Sequence, residues 1–198
     1  MINWRRDSCG RRDLLRATLL APIGVASAGL GSAWAQPAAP AALACAGASP
    51  AETEGPYFKP QSPERTTLIE PGMAGTKLIL TGYVLSAACK LIAGTLLDFW
   101  HADEHGAYDN AGYRLRGHQF TDEQGHYVLE TILPGVYTGR TRHIHVKVQP
   151  QGGRLLTTQL YFPDEPRNTR DSLFQPKLLI ALRSDPMAKL GRFDFVVA

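Results

Sequence analysis

From residue 77 onward the chain alternates strand-length apolar runs with clusters of turn-forming residues. The runs are Lys77–Val84 (KLILTGYV), Leu91–Trp100 (LIAGTLLDFW), His126–Thr131 (HYVLET), Ile144–Val148 (IHVKV), Leu155–Phe162 (LLTTQLYF) and Arg192–Val197 (RFDFVV). Asp122–Gly125, Pro134-Gly135 and Pro150–Gly153 punctuate them. Runs of this length between Gly, Asp and Pro read as strands. Only Ser172–Leu182 is long enough to suggest a helix, and Pro176 interrupts it. No internal repeat is present. Short strands with frequent turns, and no alternation of strand with helix, predict an all-β fold: an antiparallel β-sandwich with long loops.

The amino-terminal pattern differs. Arg11-Arg12 precede an uncharged Ala/Leu/Gly-rich run, Ala17–Gly31, which leads to Ala33-Trp34-Ala35 and Gln36. Paired arginines, a mild apolar stretch and an A-x-A site predict a twin-arginine export signal over residues 1–35. The run is too short and too rich in small residues to serve as a spanning anchor. Export with signal removal therefore predicts a periplasmic or otherwise exported protein, with no stable membrane insertion. Residues 36–50 are Ala/Pro-rich and almost uncharged, an extended lead-in to a domain at 51–198.

Composition changes the picture in two places. The formal charge of +3 comes from the signal: residues 1–35 hold five Arg and two acids, which leaves 16 basic and 16 acidic side chains for the rest. A neutral body offers no broad basic face, so nucleic acid is excluded as a main partner. Of the three cysteines, Cys9 leaves with the signal. Cys45 and Cys89 then become a candidate disulfide in an oxidising compartment, with two free thiols as the alternative.

The chemistry is concentrated. All six His lie between His101 and His145, together with four of the seven Tyr: Tyr108, Tyr113, Tyr127 and Tyr137. In His143-Ile144-His145 the period of a strand sends both imidazoles to one face and Ile144 to the other. Two such nitrogens can hold one metal ion; the plainer alternative is two unrelated histidines on a solvated face. A tyrosine ligates well only as phenolate, and a highly charged cation favours that form. Imidazole and hard oxygen donors together suit an oxidised, hard metal better than zinc, and ferric iron fits best.

Ordered pieces of the chain carry a resemblance. They are Thr53-Glu54-Gly55-Pro56-Tyr57-Phe58, D-F-W-H-A-D-E-H-G-A-Y ending at Tyr108, Arg116-Gly117, Thr121-Asp122, T-I-L-P-G-V-Y ending at Tyr137, G-R-T-R-H-I-H ending at His145, and Thr158–Phe162. Together they resemble the intradiol ring-cleavage dioxygenases, the group of protocatechuate 3,4-dioxygenase and catechol 1,2-dioxygenase. The resemblance implies a transthyretin-like sandwich and a mononuclear non-haem Fe(III) held by Tyr108, Tyr137, His143 and His145. It implies a catechol-type substrate and O2, exchange of Tyr137 for the substrate, and a muconate-type diacid product. Arg140 matches an arginine that stabilises charge on the ring, and Gln159 a glutamine beside the substrate. The chain lacks room for the helical dimerisation region of the catechol 1,2-dioxygenases, so its core is nearer the protocatechuate type. A homo-oligomer stays open.

Other residues receive plainer expectations. Tyr113 and Tyr127 are read as non-ligands, Trp100 as core with one edge near the pocket, and Tyr57 as a neighbour of the pocket. His101, His105, His118 and His126 are expected at the surface or behind the ligands, and Arg142 as a solvated strand-end charge. Two other functions compete: an exported non-catalytic sandwich that binds a ligand or partner protein, and a zinc hydrolase using His143 and His145. No H-E-x-x-H supports the hydrolase.

Overall fold

Alternation along the longest strand decides where the core lies. In β1 (Lys77–Ser86), Leu78, Leu80 and Val84 are fully buried, while Ile79, Thr81 and Tyr83 are only half-covered. The computed structural model describes Cys45 and residues 47–137 and 139–198. The expected export signal and most of the lead-in lie outside the described residues.

β1 is followed by β2 (Leu96–Trp100), β3 (Arg116–Phe120), β4 (His126–Ile132), β5 (His143–Gln149), β6 (Leu156–Tyr161), β7 (Ala181–Ser184), β8 (Lys189–Arg192) and β9 (Phe195–Val197). One sheet has the order β4-β1-β8-β7, with β9 also paired to β1; the other has the order β3-β2-β5-β6. Leu78, Leu80 and Leu129 from the first meet Leu97, Phe99, Val146 and Leu160 from the second in one core. Each such side chain contributes roughly 1.5–3 kcal/mol when removed from water. The expected sandwich is present, and most of its pairings are antiparallel. β1 runs parallel to β8 and β9, an arrangement the sequence did not indicate.

Three expectations need correction. Leu91–Thr95 is a turn, and only the second half of that apolar run becomes β2. Ser172–Leu182 forms no helix beyond a single 3-10 turn at Pro176–Leu178, because Pro176 starts it and the backbone is extended by Leu179. β3 and β7 lie outside the runs that predicted strands, and β8 shares only Arg192 with one of them.

The register of the four-stranded sheet decides which side chains share its outer face. Arg116 pairs with Trp100, Trp100 with His145, and His145 with Gln159. Registered partners point to the same face, so one row of four side chains crosses the entire sheet. Ile144, Val146 and Val148 face the core, which turns this row outwards. The chain before β1 covers that face. It starts at the other sheet, where the Ser49 amide donates to the Val196 carbonyl of β9 (2.9 Å), and reaches β6 where the Glu52 amide donates to Thr157 (2.8 Å). Thr158 Oγ1 donates to Pro50 (2.7 Å). A disulfide joins Cys45 to Cys89, so the start of this strap is tied to the turn after β1. Among the described residues, no helix is long and apolar enough to cross a membrane.

Candidate metal centre

The strap, β5 and two loops bring four aromatic rings together at one end of the outer face. His143 and His145 stand two residues apart on β5, almost fully buried, with their Nε2 atoms 3.1 Å apart. The His143 Nδ1 atom lies 2.7 Å from the Thr141 carbonyl. A carbonyl can only accept, so Nδ1 carries the proton and Nε2 presents a lone pair. The Tyr137 hydroxyl sits 3.3 Å from that Nε2. The Tyr108 ring lies 5.8 Å from Tyr137 and 6.4 Å from His145, and its buried hydroxyl has no hydrogen-bond partner.

Two glycines permit the tyrosines to meet. Tyr108 is on the loop between β2 and β3, and Tyr137 on the loop between β4 and β5. The loops are joined where the Gly135 amide donates to the Asp103 carbonyl (2.6 Å). Gly106 has φ +86, and a Cβ there would stand 2.4 Å from the Val136 carbonyl oxygen; one on Gly135 would stand 2.4 Å from the Gly106 nitrogen. Neither approach leaves space for a side chain.

Packing fixes the rings from behind. Trp100 stacks on His145 at 4.9 Å with planes 4° apart. Tyr57, carried on the strap, stacks on Tyr108 at 4.3 Å. The buried Arg116 guanidinium donates to the carbonyls of Tyr57 (2.6 Å) and Asp109 (3.0 and 3.1 Å). It therefore joins the strap to the Tyr108 loop.

The electrostatics favour neutral groups when the pocket holds only protein. Burial lowers His143 to about 4 and His145 well below the ordinary histidine range, so both imidazoles are free bases at neutral pH. Burial raises the Tyr108 phenol, and its neighbour Tyr137 raises it further. Burial also raises Tyr137, against the opposing pull of Arg140. A buried phenol without a partner and imidazole lone pairs turned inward have an unmet requirement. A hard, highly charged cation meets it, because coordination replaces the missing bonds and stabilises phenolate. Among the described residues, no three His, Cys, Asp or Glu side chains cluster for a metal. Half of this donor set is tyrosine.

Arg140 stands beside the rings. Its Nε donates to Asp171 Oδ2 (2.9 Å) and its Nη2 to Gln159 Oε1 (2.5 Å). Gln159 in turn donates to the Thr53 carbonyl on the strap (2.9 Å). Asp171, which no sequence motif marks, also accepts from the Thr141 amide (2.8 Å). The same carboxylate thus holds the arginine and the residue that orients His143. A cavity of about 600 Å³ opens over this group, lined by Tyr137, Arg140 and Asp171 among others.

All residues singled out from the sequence, Tyr108, Tyr137, Arg140, His143, His145 and Gln159, meet in this one place. Tyr113 is elsewhere, its hydroxyl donating to Pro60, and Tyr127 is packed in the core. His101 takes the second of its two expected places, behind the ligand candidates, and Arg142 departs from expectation. His101 is fully buried, with Nε2 2.6 Å from Thr131 Oγ1. Arg142 pairs with Glu165 at 3.0 Å and also reaches the Pro134 carbonyl.

The sequence model of the family described as Dioxygenase matches residues 53–189, which takes in the strap, both tyrosine loops, β5 and β6. The chain belongs to the intradiol ring-cleavage dioxygenase family. Chlorocatechol 1,2-dioxygenase of Pseudomonas putida is 31% identical over 139 residues, covering 55% of this chain and 52% of the relative. The protocatechuate 3,4-dioxygenase beta chain of Burkholderia cepacia is 32% identical over 119 residues, covering 51% of each. The chain thus spans about half the length of these curated dioxygenases. A solved structure matches more fully: the dioxygenase domain of a dioxygenase–carbohydrate-binding protein fusion from the cellulolytic bacterium Streptomyces sp. SirexAA-E. It is 56% identical with a TM-score of 0.75, and the match covers 76% of this chain and 98% of that one.

Proposed function

We propose that this dioxygenase-family chain cleaves a catechol-type ring between its two hydroxyl-bearing carbons, using O2 and a mononuclear non-haem Fe(III), to give a cis,cis-muconate-type diacid. The convergence of Tyr108, Tyr137, His143 and His145 on one buried point carries this reading. These four side chains would hold the iron. Bound there, ferric iron supplies Lewis acidity that draws the diol in as its dianion and makes the ring reactive towards O2.

The protein's own residues do the rest. His143 and His145 are fixed by a strand and by stacking, so they form the permanent part of the site. Tyr137 lines the open cavity, so it would be the tyrosine that gives way to the diol, its Oη taking up one of the two diol protons and solvent in the cavity the other. Arg140 cannot ligate, but its guanidinium is held rigid by Asp171 and Gln159 beside Tyr137. A preorganised charge in that position stabilises negative charge on the ring. The strap residues Thr53–Tyr57 close the far wall and exclude water.

We propose in addition that residues 1–35 direct export to the periplasm, on the grounds of Arg11-Arg12 and the pairing of Cys45 with Cys89. Metal analysis with a visible spectrum of purified protein tests the central reading, paired with oxygen uptake on catechol. One iron per chain, a red to burgundy colour from tyrosinate-to-iron charge transfer, and one O2 consumed per ring opened are expected. Colourless protein that fails to take up ferric iron would overturn it in favour of a non-catalytic binding sandwich.

A further inference from the structure

Asp171 is a buried charge to which ring cleavage assigns no chemical step. Its side chain is 1% exposed, and among the described residues its hydrogen bonds reach none of the four candidate ligands. Both oxygens are nonetheless in use. Oδ1 accepts from the Leu173 amide (2.9 Å), and Oδ2 accepts from the Thr141 amide (2.8 Å) and from Arg140 Nε (2.9 Å). Burial pushes the carboxyl up, but the Thr141 and Leu173 amides and the Arg140 guanidinium outweigh it and hold the group below its ordinary range. Asp171 is therefore an anion at neutral pH, and a buried anion with three donors fixes the position of each of them.

Two of its donors belong to parts of the site that must keep a fixed relation. Arg140 follows Gly139, which has φ +80 and nothing within 4 Å of the position a Cβ would take, so packing does not hold the start of the arginine. The Arg140 amide donates back to the Tyr137 carbonyl (3.1 Å), which links the arginine to the loop that carries Tyr137. Thr141 is the next residue, and its carbonyl takes the His143 Nδ1 proton (2.7 Å). The carboxylate itself is well anchored. The Asp171 amide donates to the Arg167 carbonyl (3.1 Å), and Asn168, in the 3-10 turn Asn168–Arg170, bonds to Thr141 Oγ1 (2.7 Å) and to the Phe162 carbonyl (2.9 Å). Without the carboxylate, the guanidinium would keep one side-chain contact, the neutral Gln159 oxygen (2.5 Å). A displacement of about 1 Å in a group that must face the reacting ring costs on the order of a hundredfold in rate.

Resting on the proposed ring cleavage, we infer that Asp171 is a positioning residue for that reaction. One carboxylate sets the direction of the Arg140 guanidinium beside the cavity and, through the Thr141 backbone, the ring orientation of His143. It supplies no ligand and takes no proton. Its influence on turnover runs through Arg140, its influence on the metal runs through His143, and substitution separates the two.

Asp171→Asn keeps the shape and removes the charge. Iron per chain, the tyrosinate-to-iron band and oxygen uptake on catechol are measured for this variant, for Arg140→Leu and for the two combined. Asp171→Asn should retain most of its iron and shift the band, because Thr141 no longer stands firmly behind His143. Its kcat per iron should fall roughly tenfold to a hundredfold, the scale of one charge-assisted hydrogen bond, with KM changed by less than about threefold. In the Arg140→Leu background the same substitution should cost less than about twofold in kcat, since the residue it acts through is gone, while the band still shifts. Asn168→Ala loosens the same turn without touching the carboxylate; it should lower the melting temperature and leave kcat within about twofold. Losses that multiply in full in the combined variant, an unchanged kcat in Asp171→Asn, or an equal loss in Asn168→Ala would each overturn the inference. An unmoved band would overturn its link to His143. Asp171→Ser, too small to clash, is read in the same way, and if neither Asp171 variant folds, the residue serves stability alone and the inference falls. A parent protein that holds no iron or opens no ring overturns the proposed function instead.

Discussion

Arg140 is the residue whose substitution best separates catalysis from metal binding. Arg140→Leu should leave iron and colour nearly intact, because the guanidinium is no ligand, and turnover per iron should fall by about a hundredfold. Arg140→Lys should recover little, since an ammonium cannot serve Asp171 and Gln159 in a planar fork. Oxygen uptake normalised to bound iron checks both. His101 makes a different prediction, about pH. Its ordinary value of 6.5 is lowered to about 4, chiefly by burial. The folded protein therefore binds fewer protons than the unfolded chain in this window. Stability is complete above pH 6.5 and drains away as pH falls towards 4, by up to about 1.4 kcal/mol per pH unit. His101→Gln should be less stable at neutral pH and show a flatter acid dependence in urea titrations of metal-free protein; identical slopes would contradict this. The ligand candidates are legible in the sequence because a strand's period of two places His143 and His145 on one face without help from the rest of the chain. The burial of His101 is not, because nothing local says that Thr131, thirty residues away in sequence, will stand against its ring. Asp171 is hidden for the same reason, and so is the bracing role of Arg116, a residue the sequence marks but whose partners come from other segments.

Among the elements, the rigid parts and the adjustable parts of the site have different origins. β5 supplies histidines through strand geometry, whereas the two tyrosines depend on loops whose close approach at Gly106 and Gly135 leaves no room for a side chain. Gly106→Ala combines a strained positive φ, costing about 1–2 kcal/mol, with a collision against the Val136 carbonyl. It should separate the loops while the core strands hold. Iron content and the tyrosinate band should fall sharply, with a loss of only a few degrees in melting temperature. Full iron occupancy in this variant would show that the loops can meet another way. The same contrast explains which strands can be read in advance. β1 and β4 alternate over many residues with one face in the core. β7 has the pattern exposed, half-buried, exposed, exposed, so no apolar period marks it. β8 is four residues long and owes its place to parallel pairing with β1.

For the whole molecule, the disulfide and the strap form one device. Cys45–Cys89 closes a separation of 44 residues, and the loss of unfolded-chain entropy corresponds to about 4 kcal/mol. Cys89→Ser, or reduction of the parent, should lower the denaturation midpoint accordingly. Iron should be lost earlier than the sheets unfold, because the released segment carries Gly55 and Tyr57 away from His145 and Tyr108. Denaturation monitored in parallel by the visible band and by far-ultraviolet circular dichroism checks the order of these losses. The strap also has a consequence in time. Residues 49–57 are synthesised before any strand they touch, and their partners Thr157, Gln159 and Val196 emerge far later. Pairings so distant in sequence are slow to form. During synthesis, then, the wall that is made first has nothing to close against, and the pocket stays open to the surrounding medium until the last strand is out. An ion can enter a half-built chamber from the side that the strap later covers, as well as through the mouth over Tyr137 and Arg140 that the finished fold keeps. The topology therefore sets a window for loading, and that window opens before the protein is finished.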